Sequence, residues 1–194
     1  MNIKHTLTWA LLATLLSAST PADIKFTPAE TQQISISTPG LFDKSKAFSI
    51  DFTSMGDRAY SFPLPVGKAT LSDKEDRLEI TSKKGDAVKA MFDGCVRLAR
   101  KMDRHGNVIV IRHDNGLETV YENNAQNLVQ SGQTVKAGQT IAIIGNDGKQ
   151  GLCRFFIMVN GSRVNPTTIV NARNHRLYRQ VLAFEKRGAN IRIT

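Results

Sequence analysis

From residue 60 to residue 168 the chain is cut into short runs of β-forming residues, each closed by Gly, Asn or Asp. "DAVKAMF" ends at Asp93-Gly94, and "CVRLARK" runs up to "DRHGN". "VIVIRH" is closed by "DNG" at 114–116, "LETVYE" by "NNAQN", "QTIAIIG" by "NDGKQG" and "CRFFIMV" by Asn160-Gly161. Gly, Asn and Asp tolerate the left-handed backbone of tight turns, whereas β-branched and aromatic side chains suit a pleated sheet. No amphipathic helical stretch lies between the runs, so nothing is available as a crossover to a parallel neighbour. The spacing predicts an all-β, antiparallel sandwich or barrel.

The flanks read differently. Lys4 and His5 precede the apolar run "LTWALLATLLSA", which ends in the small residues "SASTPA". A basic start, an apolar stretch too short to span a bilayer and a small-residue end are the anatomy of a secretory leader, here residues 1–22. Cleavage after Ser19 fits as well as cleavage after Ala22, and a buried N-terminal helix is the competing reading. Residues 23–58 are polar and rich in Pro, Ser and Thr, and read as a tether or loosely packed lead-in. The β domain is expected over 59–171, and a basic tail over 172–194. In that tail Leu177, Tyr178, Val181 and Leu182 fall on one helical face, Asn174 can cap the start and Gly188 stands past the end. A short C-terminal helix is therefore expected, its apolar face packed on the sheet and Arg173, Arg176, Arg179 and Lys186 left exposed to bind a partner or the cell wall. Truncation after Asn171 is expected to leave the β domain folded.

Residues 1–22 hold one lysine and no acid, so the formal charge of +9 becomes +8 once they are removed. In an exported protein that charge points to an anionic envelope surface or an acidic protein, not to nucleic acid. The expected location is periplasmic or at the cell surface, soluble and without stable membrane insertion. Cys95 and Cys153 are the only cysteines. Export permits a disulfide, and two buried free thiols are the favoured alternative.

The stretch "VQSGQTVKAGQTIAIIG" (129–145) is a hairpin-and-bend unit shared by biotinyl and lipoyl carriers, sugar-phosphotransfer domains and lysostaphin-like (LytM-type) zinc endopeptidases. Its neighbours choose among them. "KKGDAVKAMFDGCV", "HGNVIVIRHDNGLETVYEN" and "GLCRFFIMVNGSRVNP" resemble, in order and spacing, the peptidase motifs "GTPVKAAADGVV", "GYGNYVIIDHGNGLSTLYAH" and "GPHLHFEIRVNGKPVNP". The chain is identified as a member of the LytM-type family over roughly 60–168, which implies that family's barrel-sandwich, the duplicated hybrid motif.

By that resemblance the zinc ligands of the family are a histidine, an aspartate four residues later and the second histidine of "HLH". Two further histidines assist the bound water. Here Asn123 stands for the histidine of "YAH", Leu152 and Arg154 for those of "HLH", Glu79 for the aspartate and Glu75, nominally, for the first histidine. His113 matches a family histidine that does not ligate. No cofactor and no catalysis are therefore expected. Strand alternation puts Leu152, Arg154 and Phe156 toward the family's substrate groove, and Cys153 and Phe155 into the core. Degenerate members of the fold act as activators of cell-wall amidases, so the resemblance implies binding of peptidoglycan or of a cell-wall hydrolase. An active endopeptidase with a non-standard site is the competing reading, and an idle groove filled by the chain's own loops is a third.

Overall fold

The computed structural model describes residues 26–72 and 74–194; the expected leader at 1–22 lies outside them. The strands are β1 (Ala47–Asp51), β2 (Lys68–Ser72), β3 (Arg77–Ser82), β4 (Ala87–Lys89), β5 (Gly94–Met102), β6 (Gly106–Arg112) and β7 (Leu117–Asn127). They continue with β8 (Thr134–Val135), β9 (Thr140–Asn146), β10 (Gly151–Val159), β11 (Ser162–Val164), β12 (Val181–Arg187) and β13 (Asn190–Ile193). The helical residues among those described are two single 3₁₀ turns, Asp57–Ala59 and Pro166–Thr168.

The larger sheet runs β2-β3-β10-β9-β7-β6-β5-β8, with β11 added on β10 and β4 on β9. β10 also pairs directly with β7. Every pairing is antiparallel. The all-β expectation holds, and the turns fall where Gly and Asn were read as breaks. Gly116, Gly132, Gly138 and Gly161 all take positive φ.

β10 is buried on both faces, which explains its near-continuous apolar run. Cys153, Phe155, Ile157 and Val159 enter the main core, together with Leu78, Ile80, Ile109 and Tyr121. Phe156 and Met158 face the other way, into a second cluster with Leu98, Val108, Val110 and Val120. Ile34 and Met102 cover this second cluster. Cys95 and Cys153 are both buried free thiols.

Two expectations about the flanks are corrected. The lead-in is not loosely packed over its described part. Glu30 is 4% exposed, and β1 pairs along its length with β12. The tail is not helical. The Asn171 side chain accepts hydrogen bonds from the backbone N–H groups of Arg173 and Asn174, and the Asn174 side chain accepts from that of Arg176. The asparagines therefore build turns where a helix cap was expected. The apolar residues that follow take a two-residue period: Leu182 and Phe184 are buried while Val181 is 58% exposed. Phe184 stacks on Phe48 of β1 at 5.2 Å between ring centroids, and Gly188 (φ 61°) opens the tight β12–β13 hairpin.

Candidate functional site

The β2–β3 turn and the start of β3, the middle of β7 and of β10, β11 and the β5–β6 turn enclose an open groove of about 620 Å³. Register sets its centre. Arg154 on β10 lies opposite Glu79 on β3 and Glu122 on β7, so one cation stands between two carboxylate-bearing strands. Its Nε is buried and has no hydrogen-bond partner. Neither glutamate closes on it. Glu79 accepts from Arg77 Nη2 at 2.9 Å, and Glu122 meets His105 Nδ1 at 2.8 Å. Arg77 also pairs with Glu75. Across the groove the Arg163 guanidinium lies over the Phe156 ring at 4.0 Å and donates to the Glu75 carbonyl at 3.1 Å. Lys74 and Arg104 complete a rim on which five basic side chains face Glu75, Asp76 and Glu122.

Of the residues expected to line the groove, Glu75 and Arg154 do so, and Glu79 is held at its edge by Arg77. Phe156 shares the face of Arg154 but is fully buried beneath Arg163 and within the second cluster, so it forms no binding surface. Leu152 is 8% exposed and is also not part of the lining. Its carbonyl accepts from Asn123 Nδ2 at 2.7 Å. Asn123 adopts φ 63°, a conformation that asparagine tolerates better than most residues, and serves as a brace beside the groove.

His113 lies elsewhere, 3% exposed, with Nδ1 on the Asp93 carbonyl at 2.7 Å and Nε2 on Thr119 Oγ1 at 2.8 Å. Burial holds its pKa down at about 4. The basic tail does not reach the groove. Arg179 pairs with Asp57 at 2.9 Å and donates to the Met55 carbonyl. Lys186 sits 5.9 Å from the Phe42 ring, while Arg173 and Arg176 are on the surface.

His105, Glu122 and Arg163 were not singled out from the sequence. Glu122 was legible: it adjoins Asn123 at the motif position where the family carries "YAH". His105 sits in a turn, and only the fold brings it to Glu122.

The donor set does not suit the zinc ion that the LytM-type resemblance implies. Leu152 has no donor, and a guanidinium stays protonated and cannot ligate, so Arg154 puts a fixed positive charge where the metal would sit. Both candidate carboxylates, Glu75 and Glu79, are already engaged by Arg77.

Comparison with known proteins locates the relationship. The model of Peptidase family M23 matches residues 74–166. The murein hydrolase activator EnvC of Escherichia coli is 38% identical over 89 residues, covering 45% of this chain and 21% of that protein. The murein hydrolase activator NlpD of Escherichia coli is 38% identical over 91 residues, covering 46% and 24%. The matched part of the chain thus spans under a quarter of the length of these relatives. A candidate peptidase M23 of Pseudomonas aeruginosa superposes with a TM-score of 0.51 at 20% identity, over 58% of this chain and 50% of that one. That likeness is one of fold. Order of motifs, sheet topology and family match agree: the chain carries a domain of peptidase family M23, of the LytM type.

Proposed function

We propose that this protein is a non-catalytic M23-fold protein of the bacterial envelope that binds a cell-wall hydrolase, such as an amidase, and raises its activity. The observation that carries this reading is Arg154, a half-buried cation at the centre of the groove whose Nε is buried without a partner. A groove of this charge suits a carboxylate presented by a protein segment, because a guanidinium binds a carboxylate bidentately and best where water is excluded. Two relatives that match the domain are named murein hydrolase activators, which supports a hydrolase as the partner. The leader-like residues 1–22 support an envelope location, and among the described residues no helix is long and apolar enough to cross a membrane.

An active endopeptidase has one observation in its favour, the His105–Glu122 pair, which has the form of an oriented base. Among the described residues the groove lining places no Ser, Thr or Cys beside that base. Cys153 points to the opposite face and is buried, with its thiol pushed up to about 12.

The test is release of soluble fragments from labelled sacculi. The protein alone should release none, the amidase alone should work slowly, and the two together should work at least several-fold faster. Arg154→Ala should abolish the acceleration without loss of fold. Release by the protein alone, lost on adding a chelator, would falsify the proposal in favour of the endopeptidase.

A further inference from the structure

A second feature lies away from the groove, where the turn between β3 and β4 meets the β9–β10 hairpin tip. Gly151 lets the two tips close, because a Cβ there would stand 2.8 Å from the Lys83 carbonyl. Lys84 Nζ donates across the gap to the Gly148 carbonyl at 3.2 Å, so the tips form one surface. That surface presents Lys83, Lys84 and Lys149 around Val66, which is 79% exposed at the end of "FPLPV". The nearby acids, Asp86 and Asp147, are held in turns and keep their charge, so the three lysines outnumber them by one. Asp86 accepts from Ser82 Oγ and from the Lys83 backbone, and Asp147 accepts from the backbones of Lys149 and Gln150. Among the described residues none of these three lysines forms an ion pair, so three ammonium groups face solvent around an aliphatic tip.

We infer that this tip surface docks the protein on an anionic lipid bilayer. Charge alone would suit any polyanion, but the exposed Val66 selects among them. An aliphatic side chain standing in water among lysines gains by entering the headgroup–acyl boundary, and nothing comparable is gained on a hydrophilic polymer. Lysines reach the phosphate level on long stems while their methylenes cover the apolar contact. Binding of this kind is peripheral and reversible, and it needs no spanning segment. The site is also placed usefully. It lies at the far end of β3 from Lys74–Arg77, about 17 Å of strand away, so a docked molecule keeps the groove open to a partner. The inference is independent of what the groove binds.

The experiment is co-sedimentation with phosphatidylcholine vesicles made with and without phosphatidylglycerol. Wild-type protein should bind only the anionic vesicles. Each Lys→Gln change should lower partition about fivefold, and the triple variant K83Q/K84Q/K149Q about a hundredfold. Val66→Ser should lower it about tenfold without altering charge. A charge-matched control, R173Q/R176Q/K186Q, should lower it far less, and Arg154→Ala should leave it unchanged. Far-UV circular dichroism on each variant confirms that the fold is kept. Equal losses from the two triple variants would mean general attraction of a basic protein and would overturn the inference. So would equal binding to neutral vesicles, or an unaltered partition in Val66→Ser.

Discussion

Arg97 and Glu118 form a two-bond ion pair that is wholly shut off from solvent, with Nε–Oε1 at 2.7 Å and Nη2–Oε2 at 3.0 Å. The pair joins the sheet to the lead-in. Arg97 also donates to the carbonyls of Glu30, Gln33 (2.8 Å) and Ile34 (2.6 Å), while Arg112 bridges Glu118 and the Glu30 carboxylate. Five acceptors around one guanidinium use all of its donors, which is how a buried charge becomes tolerable. This clamp holds Ile34 over the second apolar cluster.

Breaking the clamp from one side strands a buried charge. Arg97→Ala and Glu118→Gln are each expected to cost about 3–5 kcal/mol in urea unfolding. Limited proteolysis should then cut within residues 26–38 faster than in the wild-type protein. A loss below about 1 kcal/mol would mean that the pair contributes little beyond filling space.

His113 sets a pH dependence. Burial holds its folded pKa at about 4, against 6.5 for an exposed imidazole. Between these values the unfolded chain binds the proton and the folded chain does not, so protonation favours unfolding. Stability is complete above about pH 6.5 and declines as pH falls toward 4, by on the order of 3 kcal/mol. Thermal melts at pH 7 and pH 4.5 should show the loss. In His113→Gln the drop over this window should be smaller, whatever that variant's absolute stability.

The tail belongs to the fold. Leu182 and Phe184 are buried against β1, so removal of residues 172–194 exposes Phe48, Ile50 and the hydrogen-bonding edge of β1. The truncated protein should unfold at lower urea and bind a hydrophobic dye, contrary to the expectation from sequence. Phe184→Ala alone should cost about 3–5 kcal/mol. An intact β domain after truncation would show that the small sheet is an appendage.

What the sequence disclosed depended on how local the deciding interaction was. Alternation in "GLCRFFIMV" correctly assigned Cys153 and Phe155 to the core and Leu152, Arg154 and Phe156 to the other face, because side-chain direction in a strand is a local property. What covers Phe156 was not legible. Its lids are Arg163, seven residues on, and the segment around Ile34, far back in the chain. The tail fails for a related reason. "LYRQVLAFEK" carries a helical period through Leu177 and Val181 and a strand period through Leu182 and Phe184, and the free edge of β1 decides between them. Arg154 itself was legible, but its freedom from Glu79 and Glu122 was not, since that follows from Arg77 and His105 taking the two carboxylates.

The groove's chemistry gives the last prediction. If Arg154 receives a partner's carboxylate, binding should be charge-assisted and partly screened by salt. Raising ionic strength from low to physiological values should weaken hydrolase binding mainly through the exposed rim, Lys74 and Arg104, since a Debye length of about 8 Å at 0.15 M leaves the half-buried Arg154 less affected. Arg154→Ala should cost about 10- to 100-fold in affinity, the loss expected for one desolvated charge-assisted pair. Arg154→Lys should recover only part of it, because an ammonium cannot make the two parallel bonds of a guanidinium. Lys74→Gln should cost a few-fold and should reduce the salt dependence. Elemental analysis of the wild-type protein, purified in the presence of zinc, should find no stoichiometric metal, since a fixed cation occupies the ligand position. Near-equimolar zinc, or affinity indifferent to both Arg154 and salt, would leave the groove without the role assigned to it.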